Sequence, residues 1–169
     1  NWEAQVSGPI DKAAERVAQA QFAAYGDKVY PDATFTLRLS YGRIDGWTYR
    51  GKTVAPFTHF AGLYERATGA EPYQLSARWL AAKDRLNPGT VFDISTTNDI
   101  IGGNSGSSLI NAKGEVIGAI FDGNIHSIGG DYGDDPTNNR SVAVSTAAVS
   151  EALRKVYGAG NIVDELERP

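Results

Sequence analysis

The segment Gly102-Gly103-Asn104-Ser105-Gly106-Ser107 gathers residue types that suit one kind of chemistry. A serine hydroxyl is a weak nucleophile until a base takes its proton as it attacks. Attack on a carbonyl creates an oxyanion, which needs hydrogen-bond donors fixed in advance. One arrangement draws these donors from two backbone N–H groups, that of the serine and that of the residue two before it. Gly103 is two before Ser105 and Gly106 follows it. Glycines there permit the turn that points both groups at one spot and leave room for a substrate. The plainer alternative is a glycine-rich surface turn. A β-like segment and polar loop before the motif, and a strand pair after it, favour Ser105 as a nucleophile.

Other chemistry-bearing residues are few. A strand-to-helix nucleophile elbow needs Gly-x-Ser-x-Gly, but Ser107 holds the fifth position and a strand follows. No lysine stands three after Ser105. Only two histidines are present, His59 and His126, and each reads as a surface or helix-start residue rather than the base for Ser105. Asp99, six before Ser105, reads as loop structure. The acidic group Asp131, Asp134 and Asp135 lacks calcium-loop spacing and reads as a solvated loop. No metal or other cofactor is expected.

Positioning such a serine requires rigid elements on both sides. Residues 9–25 carry helical spacing through Ile10, Ala14, Val17 and Ala24, between Pro9 and Gly26. Alternation of Phe35, Leu37, Leu39 and Tyr41 predicts a strand over 34–41, with a hairpin turn at Gly42-Arg43 into 44–50. Residues 58–68 suit a short helix, and Pro72 reads as the start of another ending before Asn87-Pro88-Gly89. Strands follow at 91–95, 107–111, 115–121 and 141–145, with a long polar loop over 122–140. A last helix is expected at 146–157, stopped by Gly158. The expected fold is mainly β with flanking helices.

Composition narrows the function classes. The 169 residues fit one domain, and 41% hydrophobic with 21% charged content is ordinary for a globular chain. The net charge of −4 and the lack of a basic cluster give no nucleic-acid footprint. No apolar run approaches the roughly 20 residues of a membrane span. The absence of cysteine excludes thiol catalysis and disulfides.

The stretch Thr96-Thr97-Asn98-Asp99-Ile100-Ile101 leading into the serine motif, together with Phe121-Asp122-Gly123-Asn124, resembles the bacterial dipeptidyl-peptidase 7/11 family of serine exopeptidases. Ala55-Pro56-Phe57-Thr58, Gly62-Leu63-Tyr64-Glu65-Arg66-Ala67 and Glu151-Ala152-Leu153-Arg154-Lys155-Val156-Tyr157 extend the resemblance over most of the chain. It implies the C-terminal β-barrel portion of a chymotrypsin-like double barrel. Residues 1–27 would then be the tail of an inserted helical domain, and 28–169 the barrel segment with its C-terminal helix. It implies Ser105 as nucleophile and the N–H groups of Gly103 and Ser105 as the oxyanion hole. Asp122 would hold the free α-amino group of a peptide substrate. Gly123 would set the specificity pocket, where acid-preferring relatives carry arginine, so that glycine points to a hydrophobic second residue. The family usually has proline where Ser108 stands.

The family's catalytic histidine and aspartate lie far upstream of its serine. With no starting methionine and neither histidine in a suitable setting, the chain is expected to be the nucleophile-bearing segment of a larger peptidase, inactive alone. Its partners would be a peptide substrate, the upstream catalytic segment and a second copy in a periplasmic or secreted homodimer, with neither nucleic acid nor membrane. A glutamyl-endopeptidase-like protease and a non-catalytic peptide-binding barrel remain the alternatives.

Overall fold

A computed structural model describes residues 1–28, 39–129 and 135–168. The chain divides into two compact units, Asn1–Ser40 and Tyr41–Pro169. In the first, a π-helical turn Glu3–Ser7 leads into helix α1, Gly8–Tyr25, with Pro9 in its first turn and Gly26 at its end. No residue of α1 is buried; Ile10, Val17 and Phe22 are all exposed. Most of the strand expected at 34–41 lies outside the described residues; 39–41 are not in a strand.

The second unit mixes helices with two antiparallel sheets. A two-stranded hairpin pairs β1, Trp47–Tyr49, with β2, Lys52–Val54. Its turn is Arg50-Gly51, both at positive φ, and not Gly42-Arg43 as alternation suggests. Two residues at positive φ match the twist of paired strands, so this turn closes the tightest hairpin available. Ile44 makes only an isolated bridge with Thr96.

The main sheet has the order β3-β4-β7-β6-β5, from Phe57–His59, Val91–Thr96, Ser141–Ser145, Val116–Gly123 and Ser108–Ile110. It is open: the described residues close no barrel, and helices are as prominent as strands, so mixed α/β replaces the expected mainly-β barrel. The helices are α2 (Phe60–Arg66), α3 (Ala77–Ala82), α4 (Thr146–Lys155) and α5 (Gly160–Leu166). Pro72 does not begin α3. It follows a cis peptide bond in a turn, and extended Ser76 precedes the helix. The helix α5 is too short for periodicity to reveal.

The core sits between α2, α3, α4 and the sheet. Phe60 is fully buried, with Ala82, Leu86, Ala148, Ala152 and Val156 around it and Trp79, Phe92 and Val144 packed on them. Phe60 meets Trp79 edge-on at 5.8 Å and Phe92 at 5.3 Å, the offsets that ring quadrupoles favour. Ser145 joins sheet to helix: it ends β7, donates through Oγ to Val91 O, and accepts from the Ala148 N–H as N-cap of α4. A row of buried apolar residues, Ile94, Ala143 and Ile120, runs in register across β4, β7 and β6. This row gives the candidate site its rigid backing.

Candidate active site

Ser105 stands exposed on the turn between β4 and β5. Asn104 builds the turn: its N–H donates to Ile101 O at 3.1 Å, and its side-chain Oδ1 accepts from Ile101 N–H at 3.0 Å. Gly103 has φ +102 and Gly106 φ +86, regions where a Cβ is strongly disfavoured. The turn is then stitched to β6: Gly106 N–H donates to Ile120 O at 2.7 Å, and Ile120 N–H to Ser107 O at 2.9 Å. Among the described residues, neither the Gly103 nor the Ser105 N–H has a hydrogen-bond acceptor.

One residue beyond that stitching the β6 ladder breaks. Ile120 pairs with Ala143, but Asp122 pairs with Val142, leaving Phe121 as a bulge. Side chains alternate faces along a strand, so an unbroken strand would send Asp122 to the buried side with Ile120. The extra residue reverses the phase after position 120, and both Phe121 and Asp122 are exposed. The Asp122 carboxylate accepts the Gly123 N–H at 2.8 Å. Gly123 pairs with Ser141, whose hydroxyl meets Thr96 Oγ1 in a buried contact of 2.5 Å.

A cavity of about 250 Å³ opens here, bordered by Ser105, Asp122 and Gly123 together with Ile101, Ile120, Phe121 and Ile128. Gly103 lies between two residues of its wall, Gly102 and Asn104. The four residues singled out by sequence therefore meet at one place. The other candidates lie elsewhere. His59 ends β3 and lines a separate groove of about 960 Å³ with Asp93 and Phe92. His126 lies in the 3-10 turn Ile125–Gly129, edge-on to Tyr49 at 6.1 Å, and is not part of the cavity wall. Asp99 borders a small crevice with Arg140 and Ser141. Asp131 and Asp134 lie outside the described residues. Asp135 organises its own turn, accepting from Thr137 N–H and Asn138 Nδ2.

Sequence reasoning passed over Arg140, which is 4% exposed. Its guanidinium donates to the carbonyls of Gly46, Pro136, Asn139 and Thr137 at 2.6–3.3 Å. Its own backbone clasps Asn124: Asn124 N–H donates to Arg140 O at 2.9 Å, and Arg140 N–H to Asn124 Oδ1 at 3.2 Å. The segment after Gly123 is thus locked to the strand entering β7. An isolated arginine in a polar loop carries no pattern that sequence could have flagged.

The sheet thus presents an exposed serine and an exposed carboxylate on the wall of one small cavity. The chain belongs to the Peptidase S46 family, whose model matches residues 1–168. It is 33% identical over 171 residues to an Asp/Glu-specific dipeptidyl-peptidase of Shewanella putrefaciens, covering 82% of this chain and 23% of that protein. It is 36% identical over 146 residues to dipeptidyl-peptidase 7 of Phocaeicola vulgatus, covering 80% of this chain and 20% of that protein. Among solved structures it superposes on Porphyromonas endodontalis DPP11 in complex with the dipeptide Arg-Asp at TM-score 0.78 and 26% identity, covering 88% of this chain and 23% of that one. The chain spans about a fifth of the length of these relatives.

Proposed function

We propose that this chain is the nucleophile-bearing segment of a serine dipeptidyl peptidase, which removes dipeptides from the free N-terminus of peptides after a hydrophobic second residue. The observation that carries this reading is that Ser105, on the turn before β5, and the adjacent pair Asp122-Gly123, at the end of β6, border one cavity. Ser105 Oγ attacks the carbonyl carbon of the second residue while a base takes its proton and later passes it to the leaving amine. The resulting oxyanion sits on the N–H groups of Gly103 and Ser105, which have no other acceptor among the described residues. Collapse releases the shortened peptide as amine, and water then frees the dipeptide from Ser105. Asp122 pairs with the substrate's ammonium, so only a peptide that begins at that point is held productively.

The preference for a hydrophobic residue rests on the cavity wall. Ile101, Phe121 and Ile128 supply apolar surface beside the polar Asn104, Asn124 and Ser127, no lysine or arginine borders the cavity among the described residues, and Asp122 repels an acid. Two kinds of relative are named, one Asp/Glu-specific and one dipeptidyl-peptidase 7. Faster cleavage after Asp or Glu than after Leu or Phe would place this protein with the first kind.

The base and its orienting carboxylate come, in this reading, from an upstream barrel of a chymotrypsin-like double-barrel parent, itself a periplasmic or secreted homodimer. The test is a fluorophosphonate probe. The full-length peptidase labels at Ser105, Ser105→Ala abolishes labelling and lowers kcat by at least about 10³-fold, and the 169-residue chain alone does not label. Strong labelling of the isolated chain overturns the assignment of an upstream base.

A further inference from the structure

The relation between Gly123 and the turn that follows it adds a determinant of specificity that rests on the reading above. Gly123 does not have a positive φ, so its backbone would accept any residue. Space is what forbids a side chain. A Cβ at position 123 would lie 2.8 Å from Ser127 Cβ, 2.9 Å from Ser127 Oγ and 3.5 Å from Arg140 O. Carbon atoms in comfortable contact sit roughly 3.5–4.0 Å apart.

Ser127 cannot turn away from this conflict. Rotation of its side chain moves Oγ but leaves Cβ in place. Its hydroxyl lies 3.1 Å from both Asn124 Oδ1 and Arg140 O, and its N–H donates to Asn124 O at 2.9 Å. Those acceptors are fixed in turn by the clasp between Asn124 and Arg140 and by the buried guanidinium. Making room at 123 therefore means displacing the whole 3-10 turn Ile125–Gly129 or shrinking residue 127.

We infer that Ser127 is a specificity-determining residue: it occupies the place where a side chain at position 123 would stand. Ser127 and Gly123 both border the cavity. While Ser127 is present, a cationic side chain cannot be seated at 123. The cavity then holds an uncharged apolar side chain and offers an acidic one no counter-charge.

The test is a double-mutant cycle in the full-length protein, read by thermal unfolding and by hydrolysis. Gly123→Ala lowers the melting temperature by about 3 °C or more. In Gly123→Ala with Ser127→Gly, most of that loss disappears relative to Ser127→Gly alone, because the conflicting Cβ has been removed. Additive losses overturn the inference, and this readout does not depend on peptidase activity. In hydrolysis, Gly123→Arg alone displaces the cavity wall and lowers kcat/KM for Leu and Glu second residues together, with no gain in the ratio of Glu to Leu. Adding Ser127→Gly shifts that ratio at least tenfold toward Glu, about 1.4 kcal/mol. A full shift by Gly123→Arg alone also overturns it. A parent protein that hydrolyses no dipeptidyl substrate sinks the peptidase reading, and the melting cycle still decides on Ser127.

Discussion

Asp122 and Ser105 are both exposed, and neither is held by a dense hydrogen-bond network. What fixes them is the backbone beneath: a clasped turn under Ser105 and a ladder irregularity under Asp122. In the proposed reading, Asp122 binds the substrate's ammonium and Ser105 makes the new bond. In the full-length peptidase, Asp122→Asn lowers kcat/KM for dipeptide substrates with a free amino terminus by about 10²-fold, near 3 kcal/mol for a lost charge-assisted contact. Fluorophosphonate labelling of Ser105 stays within about twofold, because the probe carries no ammonium. Equal loss of both would show that the substitution had disturbed the turn rather than an ammonium site. The Gly-Asn-Ser-Gly run singled out Ser105 by its own chemistry, whereas Asp122 and Gly123 were named only through the family resemblance; the structure brings all three to one cavity wall. Ser127 was not legible in the sequence, because its meaning lies in a contact with Gly123 that only the folded turn creates.

The helix α4 is tied to the loop before β4 by one carboxylate. Glu151 accepts from the Asn87 N–H at 2.6 Å, from Thr90 Oγ1 at 2.5 Å and from Lys155 Nζ at 2.8 Å, and its side chain is 12% exposed. Burial alone would raise this carboxyl, but the three donors and the lysine charge outweigh it and hold the group below the ordinary glutamate value. The unfolded chain therefore binds the proton first. The stabilisation is complete above the ordinary glutamate range, roughly 4.3, and is lost as pH falls through the lower folded-state value. Glu151→Gln lowers stability by about 1–3 kcal/mol at pH 7 in urea unfolding. The gap between the two proteins narrows below about pH 4. A gap independent of pH would refute the assignment.

Elements with enough length were readable: α1, β4, β6, β7 and α4 all appear close to where periodicity puts them. The hairpin of β1 and β2 was not, since three-residue strands show no alternation, and its Arg50-Gly51 turn is no strong turn pair. The start of α3 was misplaced because Pro72 suits a first helical turn as well as a loop. The sheet order, with β7 inserted between β4 and β6, depends on long-range pairing that no local window contains.

For the whole molecule, membership of the Peptidase S46 family sets the frame, and the proposed ammonium site implies a direction of action. A peptidase that anchors an ammonium works from a chain end. Acetylating a substrate's amino terminus should therefore abolish cleavage by the full-length protein, as followed by mass spectrometry of the released dipeptides. Continued cleavage of the blocked peptide would assign an endopeptidase instead. At this scale the sequence supplied the family through its motifs, while the open five-stranded sheet in place of a closed barrel became visible only in the assembled strands.

The bulge at Phe121 works like a one-letter shift of reading frame. Upstream of it, odd and even positions of β6 spell inside and outside in one phase; downstream they spell the reverse. Deleting Phe121 would restore a regular ladder and spare the buried row of Ile94, Ala143 and Ile120. Asp122 would still stand opposite Val142 on the exposed face, so a protein that still folds would keep its carboxylate outward and lose only the local bend that the extra residue gives the strand beside Ser105.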